Sequence, residues 1–416
     1  MFDAKGPMGF AKESPEDVYM LQAFLNSRVT DYLIRMLAPT VDFKLGHVLN
    51  LPLAGLKDSK SSELTKKCIE ISKCDWDNFE TSWDFRDQPL LRPGLKGATL
   101  EASWRNWEVQ STAAVRRMQE LETENNRLFI AAYGLDGELQ PEVPEAQITL
   151  ARAEARRDMA AFLAYAVGCM MGRYSLAQPG LVLADAGATI DDYSRIVGKD
   201  EVGSIKDEGK PAAPADPNFI PDADGIIPVL DSEWFEDDIV AHTKEFLCAT
   251  FGEAALGENI GFIEKSLGKE LRAYFLSEFY KDHLQTYKNR PIYWLFSSGK
   301  EKAFQCLVYL HRYTPATLAR IRTEYVIPLQ GKLAARIGHI EEEKTHATAT
   351  SQRKKLQTEQ DNLRKQQAEL LKYDEQLRHH SDLKIALDLD DGVKVNYAKL
   401  GPLVAEAKKI YGTKED

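Results

Sequence analysis

The sequence lacks the features that mark membrane, secreted and zinc-binding proteins. No apolar run reaches the roughly 18 residues needed to span a bilayer, and the N-terminal MFDAKGPMGF has no apolar core of a secretion signal. The five cysteines include no C-x-x-C pair, which predicts reduced thiols rather than disulfides or a zinc site. These absences predict a cytoplasmic protein with no membrane partner.

Two catalytic motifs are also missing. None of the 18 prolines adjoins another, and no two of the 26 glycines are separated by a single residue. The first absence excludes the Pro-Pro loop that grips a flipped adenine in enzymes that methylate its exocyclic amine. The second excludes the Gly-rich turn at which the backbone approaches a methyl donor. We therefore predict no catalytic residues, no cofactor-binding residues and no metal ligands in this chain.

Three weaker motifs are better explained as structure. Ser298-Gly299-Lys300 resembles the end of a phosphate-binding loop but lacks its upstream glycine and its following hydroxyl residue. The acidic stretches DADG at 222–225 and DLDDG at 388–392 carry glycine at position four or five. A calcium loop needs that glycine at position six. Turns therefore explain both acidic stretches better than calcium sites do.

Charge is distributed unevenly along the chain, whose formal net charge is −11. The segment 185–245 contains sixteen acidic and five basic residues, whereas the segment 281–336 contains ten basic and three acidic residues. Because phosphate contacts dominate the affinity of proteins for nucleic acids, the basic segment could face DNA despite the negative total.

The basic segment NRPIYWLFSSGKEKAFQCLVYLHRYTPATLARIRTEY also interleaves cations with aromatic residues. Arginine and lysine contact phosphates or guanine edges, and aromatic rings stack on bases. We therefore predict a set of DNA-contact residues from this segment, with one further lysine near the N-terminus: Arg290, Tyr293, Trp294, Lys300, Lys302, Arg312, Arg320, Arg322 and Lys44. A strand and a helix with aromatic residues in the core and a solvated basic face would give the same pattern.

Periodicity predicts a mainly α fold with small β elements. Apolar residues at helical spacing predict helices over 17–36, 101–133 and 263–287, and a buried helix that begins near residue 145. VDFKLGHVLNLPL alternates enough to predict an edge strand. A helix predicted over 325–377 carries a coiled-coil seam, with leucines at seven-residue steps: Leu356, Leu363, Leu370 and Leu377. Its expected partner is the helix over 101–133, and a second copy of the chain is the alternative.

Several stretches, taken in order, resemble one family. LQAFLNSRVTDYLIRMLAPTVDFKLGHVLNLPL is similar to the closing part of the target-recognition domain in single-chain restriction–modification methyltransferases. DWDNFETSWDF, NRLFIAAYGL, YAVGCMMGRYSL, RPIYWLFSSGKEKAF and DLDDGVKVNY then follow in the order typical of the PglX family. These are adenine-specific DNA methyltransferases of the BREX phage-defence systems, and the resemblance covers nearly the whole chain.

The resemblance implies that the chain is a C-terminal portion of such an enzyme, as a truncation, a split-gene product or a decayed copy. It implies site-specific adenine methylation for self-marking and phage defence, with S-adenosylmethionine as the cofactor of the full-length family. Inactive alone, this chain would contact duplex DNA or dock on an N-terminal methyltransferase half and other BREX proteins. A coiled-coil interaction module of the defence complex and a DNA-specificity subunit are the alternatives.

On this resemblance the chain divides into six regions. The expected architecture is the tail of a target-recognition domain followed by a helical domain with a long coiled-coil-like helical hairpin. In order, we expect the end of a target-recognition domain over 1–56, an irregular aromatic-rich connector over 57–100, a helical region with the first long helix over 101–186, an acidic Pro-rich loop over 187–228, a helical region rich in basic and aromatic residues over 229–324, and the long coiled-coil helix with a C-terminal segment over 325–416.

Overall fold

A computed structural model describes residue 10 and the ranges 14–38, 45–53, 59–198 and 219–411. Lys44, one of the predicted DNA contacts, lies outside the described residues, as does the stretch 199–218 of the acidic loop. The chain forms two compact units, Met1–Ser82 with Arg105–Ala153 and Trp83–Trp104 with Glu154–Asp416. Within the described ranges, no helix combines the length and the apolar character that crossing a membrane requires.

The first unit is helical. Its helices are α1 (Pro15–Leu25), α2 (Arg28–Leu37), α3 (Leu45–Leu49), α4 (Ser59–Trp76) and α5 (Leu100–Tyr133), of which α5 begins among residues of the second unit. The predicted helix over 101–133 is thereby confirmed, and Gly134 ends it in the left-handed region at φ +64°. The core packs Phe24 against Phe129 at 5.7 Å between ring centroids and against Tyr133 at 5.9 Å.

Three local predictions in the first unit were wrong. The helix expected over 17–36 is two helices, because the Ser27 hydroxyl donates to the Phe24 carbonyl at 2.7 Å and accepts from the Thr30 N–H at 3.3 Å. This cap ends α1 and starts α2. In the stretch expected to form an edge strand, the described residues 45–49 form α3. The connector expected to be irregular contains the 18-residue helix α4.

The second unit is mainly helical with one small sheet, which confirms the predicted fold class. Its helices are α6 (Ala155–Met170), α7 (Ile190–Val197), α8 (Ile239–Phe251), α9 (Leu256–Leu267), α10 (Leu271–Tyr274), α11 (Tyr280–Thr286), α12 (Thr317–Arg320), α13 (Ile327–His346), α14 (Thr350–Asp382), α15 (Gly392–Leu400) and α16 (Ala407–Tyr411), and its strands are β1 (Ile226–Pro228), β2 (Tyr293–Ser297) and β3 (Gln305–Tyr309). The buried helix expected from residue 145 begins ten residues later as α6. The helix expected over 263–287 is divided among α9, α10 and α11.

The sheet is antiparallel, with β3 between β1 and β2. Ile226 pairs with Val308, and Tyr293 pairs with Tyr309. Strand β1 and helix α7 both fall in the region expected to be an acidic loop over 187–228. Helix α7 starts at a reciprocal cap in which Thr189 and Asp192 each bind the other's backbone N–H.

Helices α13 and α14 form a helical hairpin within the second unit. The helix expected over 325–377 is interrupted after His346, and α14 resumes at Thr350. The guanidinium of Arg353 donates to the Ala347 carbonyl at 2.7 Å, which satisfies a group left open at the break. Within the second unit, helix α14 packs against α13 and α12.

The hairpin buries all four leucines of the predicted seam. Ion pairs cross between its helices, with Arg336 at 2.8 Å from Glu359 and Arg364 at 2.9 Å from Glu341. Between α12 and α13 the residues Ile321–Val326 form a π-helical segment. Pro328 lacks an N–H and its ring crowds the preceding turn, which a widened turn can accommodate.

Candidate functional site

The segment expected to contact DNA folds as strands β2 and β3, their connecting turn and helix α12. Tyr293 is 0% and Trp294 is 1% exposed. The Trp294 indole N–H donates to the Pro291 carbonyl at 3.1 Å, and its ring lies 4.9 Å from that of Tyr397. Rings buried to this extent cannot stack on a base without opening the strand. Both aromatic residues therefore serve the core, as the alternative interpretation of the pattern expected.

A buried histidine supports the start of β2. The Nε2 atom of His283 accepts from the N–H groups of Ile292 at 3.0 Å and Tyr293 at 3.2 Å. An imidazole nitrogen that accepts hydrogen bonds must be unprotonated. Burial, with a smaller contribution from Arg173, lowers the pKa of His283 to about 3. The ring is thus a neutral part of the fold rather than a proton donor.

Arg312, another predicted DNA contact, holds a loop in place. It is 6% exposed and donates to the carbonyls of Asp222 at 2.7 Å and Ala223 at 2.6 Å. Gly225 sits beside it at φ +74°, where a Cβ atom would lie 3.2 Å from the guanidinium. The loop therefore needs glycine here for both its backbone and its space.

The acidic stretch 222–225 is bound to its own backbone. The Asp222 carboxylate accepts from the N–H groups of Asp224 at 3.0 Å and Gly225 at 2.5 Å, and the Asp224 carboxylate accepts from the Ile226 N–H at 2.8 Å. Burial, and then Asp222, raise the pKa of Asp224 to about 8. Among the described residues, no three His, Cys, Asp or Glu side chains come together as metal ligands.

At the Ser298-Gly299-Lys300 turn, several hydrogen-bond donors converge on one carboxylate of the protein itself. Glu369 of α14 accepts from the Ser298 hydroxyl at 2.7 Å, from the Glu301 N–H at 2.7 Å and from the Ala303 N–H at 3.1 Å. Converging N–H groups of this kind also bind phosphate. Here the protein supplies the anion itself, and the turn is fixed to the hairpin.

Replacing Glu369 with alanine should lower the free energy of unfolding by about 1.5–3 kcal/mol, because three donors lose a charged acceptor. Chemical denaturation followed by circular dichroism would measure the loss. Glu375→Ala, at an exposed position of the same helix, should stay within about 0.5 kcal/mol of the parent protein. Equal losses in the two variants would show that Glu369 does not hold the turn.

The remaining predicted cations differ in exposure and in whether they already form an ion pair or hydrogen bond within the protein. Arg322 pairs with Asp374 at 2.7 Å, and the half-buried Lys302 donates to the Leu276 carbonyl. Arg320 is exposed and forms a surface pair with Glu324 at 3.3 Å. Arg290 and Lys300 are exposed, so these two and Arg320 are the cations that a phosphate could approach.

The structure does not gather these three cations at one point. Arg290 precedes β2, whereas Lys300 lies in the turn at the opposite end of that five-residue strand. At about 3.3 Å per residue, the strand alone separates them by roughly 16 Å. Arg320 ends α12 and lies near Arg312, whose guanidinium pKa is lowered by burial first and by Arg320 to a smaller extent. An extended polyanion could span such a spread, but a small ligand could not.

Arg173 is a residue that the sequence interpretation missed. It is 8% exposed, and its guanidinium lies 5.0 Å from the ring centroid of Tyr174 and 5.6 Å from that of Tyr287. It also helps to lower the pKa of His311, after burial. The sequence does set Arg173 apart, because no other charged residue occurs between Asp158 and Tyr174. A lone cation in an apolar stretch indicates a buried one.

Comparison with known proteins places the chain beside two curated relatives. It is 38% identical over 412 residues to the adenine-specific methyltransferase PglX of Lacticaseibacillus casei (strain Zhang), a match that covers 96% of this chain and 32% of that protein. It is 38% identical over 446 residues to the adenine-specific methyltransferase BrxX of Escherichia coli O9:H4 (strain HS), covering 99% and 35% respectively. The chain therefore spans about a third of the length of these relatives. No protein-family model matches it.

Proposed function

Because this chain belongs to the family of the PglX and BrxX adenine-specific methyltransferases, we propose that it is a non-catalytic, C-terminal part of such an enzyme. It would serve site-specific DNA methylation for self-marking and phage defence in the cytoplasm. Binding of S-adenosylmethionine and methyl transfer would take place in the longer members' other portion. The absence of a Pro-Pro pair and of Gly-x-Gly from the sequence supports this division of labour.

We propose that the contribution of this chain is contact with the DNA backbone. The proposal is supported by the exposure of Arg290, Lys300 and Arg320. All three lie in the segment 281–336, which contains ten basic and three acidic residues. Exposed cations spread along a surface suit phosphates, which fix orientation without reading sequence. The burial of Tyr293 and Trp294 argues against base stacking by this segment, so the proposed contact is independent of base sequence.

The double variant Arg290→Ala with Lys300→Ala should weaken binding to duplex DNA and flatten its salt dependence. Each lost phosphate contact removes about 0.9 from the slope of log K against log salt concentration. Fluorescence anisotropy with a labelled duplex across a salt series would measure both effects.

A control double variant removes the same number of positive charges from a different part of the protein. Lys365→Ala with Lys372→Ala removes two exposed cations from α14 and should leave the slope of the parent protein. Equal slopes for both double variants, or no binding by the parent chain at low salt, would refute the proposed contact.

Docking on an N-terminal methyltransferase half or on other BREX proteins remains part of the proposal. The alternatives are a coiled-coil interaction module of the defence complex and a DNA-specificity subunit. Because the four leucines of the hairpin are buried in the second unit, docking through the hairpin would use its polar outer faces rather than the leucine seam. Copurification of the chain with a separately expressed methyltransferase portion would detect this docking.

A further inference from the structure

A groove of about 530 Å³ lies in the first unit, where α1, α4, α5 and the residues Thr149 and Leu150 meet. It plays no part in the proposed DNA contact. Apolar side chains form much of its wall, among them Leu64, Ile69, Met118 and Leu150. Most of its polar groups belong to α4 and α5.

One buried polar group of the groove is the amide of Asn125, which is 8% exposed. Its amide nitrogen donates to the Ala23 carbonyl at 2.9 Å, which fixes the orientation of the side chain. The amide oxygen is then buried with no hydrogen-bond donor among the described residues. A buried acceptor without a donor destabilises the fold. The groove offers the space from which a donor could reach it.

Glu122 lies three residues before Asn125 on α5, so both face the same side of the helix. The carboxyl group is half-buried, and this burial raises its pKa. The neighbouring Cys68 thiol reports the same surroundings, because burial and then Glu122 raise its pKa to about 11. Lys73 also lines the groove but is engaged in interactions of its own.

Trp76, the last residue of α4, completes the groove with an aromatic surface. Its side chain is 60% exposed, which is unusual for the largest apolar residue. The face of an indole ring attracts cations more strongly than other aromatic rings do. The groove thus combines a buried neutral acceptor, a half-buried acid and an exposed aromatic ring.

We propose that this groove binds a guanidinium group, as an arginine side chain of a partner protein presents it. Guanidinium carries five N–H donors and no acceptor, which matches the two acceptors on α5. Its plane stacks on aromatic rings, and its positive charge favours an ionised Glu122. A phosphate-bearing ligand fits poorly, because the half-buried acid would repel it. The groove belongs to the first unit, whereas the cations of the proposed DNA contact belong to the second.

The test uses the full chain and acetyl-arginine amide as the probe, with the Trp76 indole N–H signal followed by NMR and assigned through Trp76→Phe. Saturable binding is expected for the arginine probe. The neutral isostere acetyl-citrulline amide should bind at least roughly tenfold more weakly, because a buried carboxylate loses its charged partner. Equal binding of the two probes, or no saturable shift with arginine, would overturn the proposal.

Two variants of α5 separate a specific site from general surface attraction. Glu122→Gln should weaken arginine binding by at least roughly tenfold. Glu120→Gln removes an exposed acid that pairs with Arg117 and should change the affinity less than about twofold. Unchanged affinity in Glu122→Gln, with an unfolding transition like that of the parent chain, would reject the site. Both variants should bind DNA as the parent chain does, so the two proposals can fail separately.

Discussion

Leu370→Ala should lower the free energy of unfolding of this protein by about 2–5 kcal/mol. Leu370 lies at the centre of α14 and is 0% exposed. Truncating it removes buried methyl groups and leaves a cavity, and both effects destabilise the native state. Guanidinium denaturation, followed through the helical signal in circular dichroism, would measure the change.

The neighbouring residue provides the control. Leu371 has the same side chain in the same helix but is 53% exposed. Leu371→Ala should change the free energy of unfolding by no more than about 0.5 kcal/mol. Because the two variants share composition and helix propensity, only burial distinguishes them. Similar losses in both would mean that α14 packs through a different face.

Acidification should destabilise the second unit through His283. Its pKa is about 3 in the native state, against 6.5 in an unfolded chain. Between these values the unfolded state binds a proton that the native state excludes, so stability falls as the pH decreases. The contribution is fully present above pH 6.5. Near pH 3 the loss should reach up to about 4 kcal/mol.

Equilibrium unfolding of the parent chain and His283→Gln at several pH values would isolate this contribution. The amide oxygen of glutamine can still accept from the N–H groups of Ile292 and Tyr293, but it cannot be protonated in this range. The variant should therefore lose much of the slope between pH 6.5 and 3. His339→Gln changes an exposed histidine of α13 and should retain the slope. An unchanged slope in His283→Gln would contradict the assignment.

The sequence predicted the helices best where the local pattern is strong. The helix over 101–133 matches α5 to within one residue, because a long apolar stripe ends at a glycine suited to the left-handed region. The leucine repeat of α14 also correctly marked a buried stripe. A repeat shows that a helix needs a partner but not which one, and the break after His346 contains neither glycine nor proline.

One strand of the small sheet was harder to predict because its pairing is not local. Strand β1 has only three residues and pairs Ile226 with Val308, far along the chain. Its neighbours are acidic, so composition favoured a loop over 187–228. Helix α4 was not predicted for a different reason. Its apolar stripe is weak, and the aromatic residues that follow it suggested an irregular segment.

For the candidate DNA contacts, residue type alone does not distinguish a surface role from a core role. Arginine and tyrosine are compatible with both a DNA surface and a core, and exposure separates the two. Arg312 and Tyr293 point into the second unit, whereas Arg290 is exposed. The groove in the first unit was beyond sequence analysis altogether, because Ala23, Trp76 and Glu122 come from three helices that are distant in the chain.

Only Ala347, Thr348 and Ala349 separate α13 from α14. Closing so short a connection removes little chain entropy, so the two helices can pack together soon after both have formed. Strand β1 must instead join β3 across about eighty positions before its pairing energy is gained. The larger entropic barrier to assembling the second unit therefore belongs to the pairing of the three-residue strand β1, not to the two long helices of the hairpin.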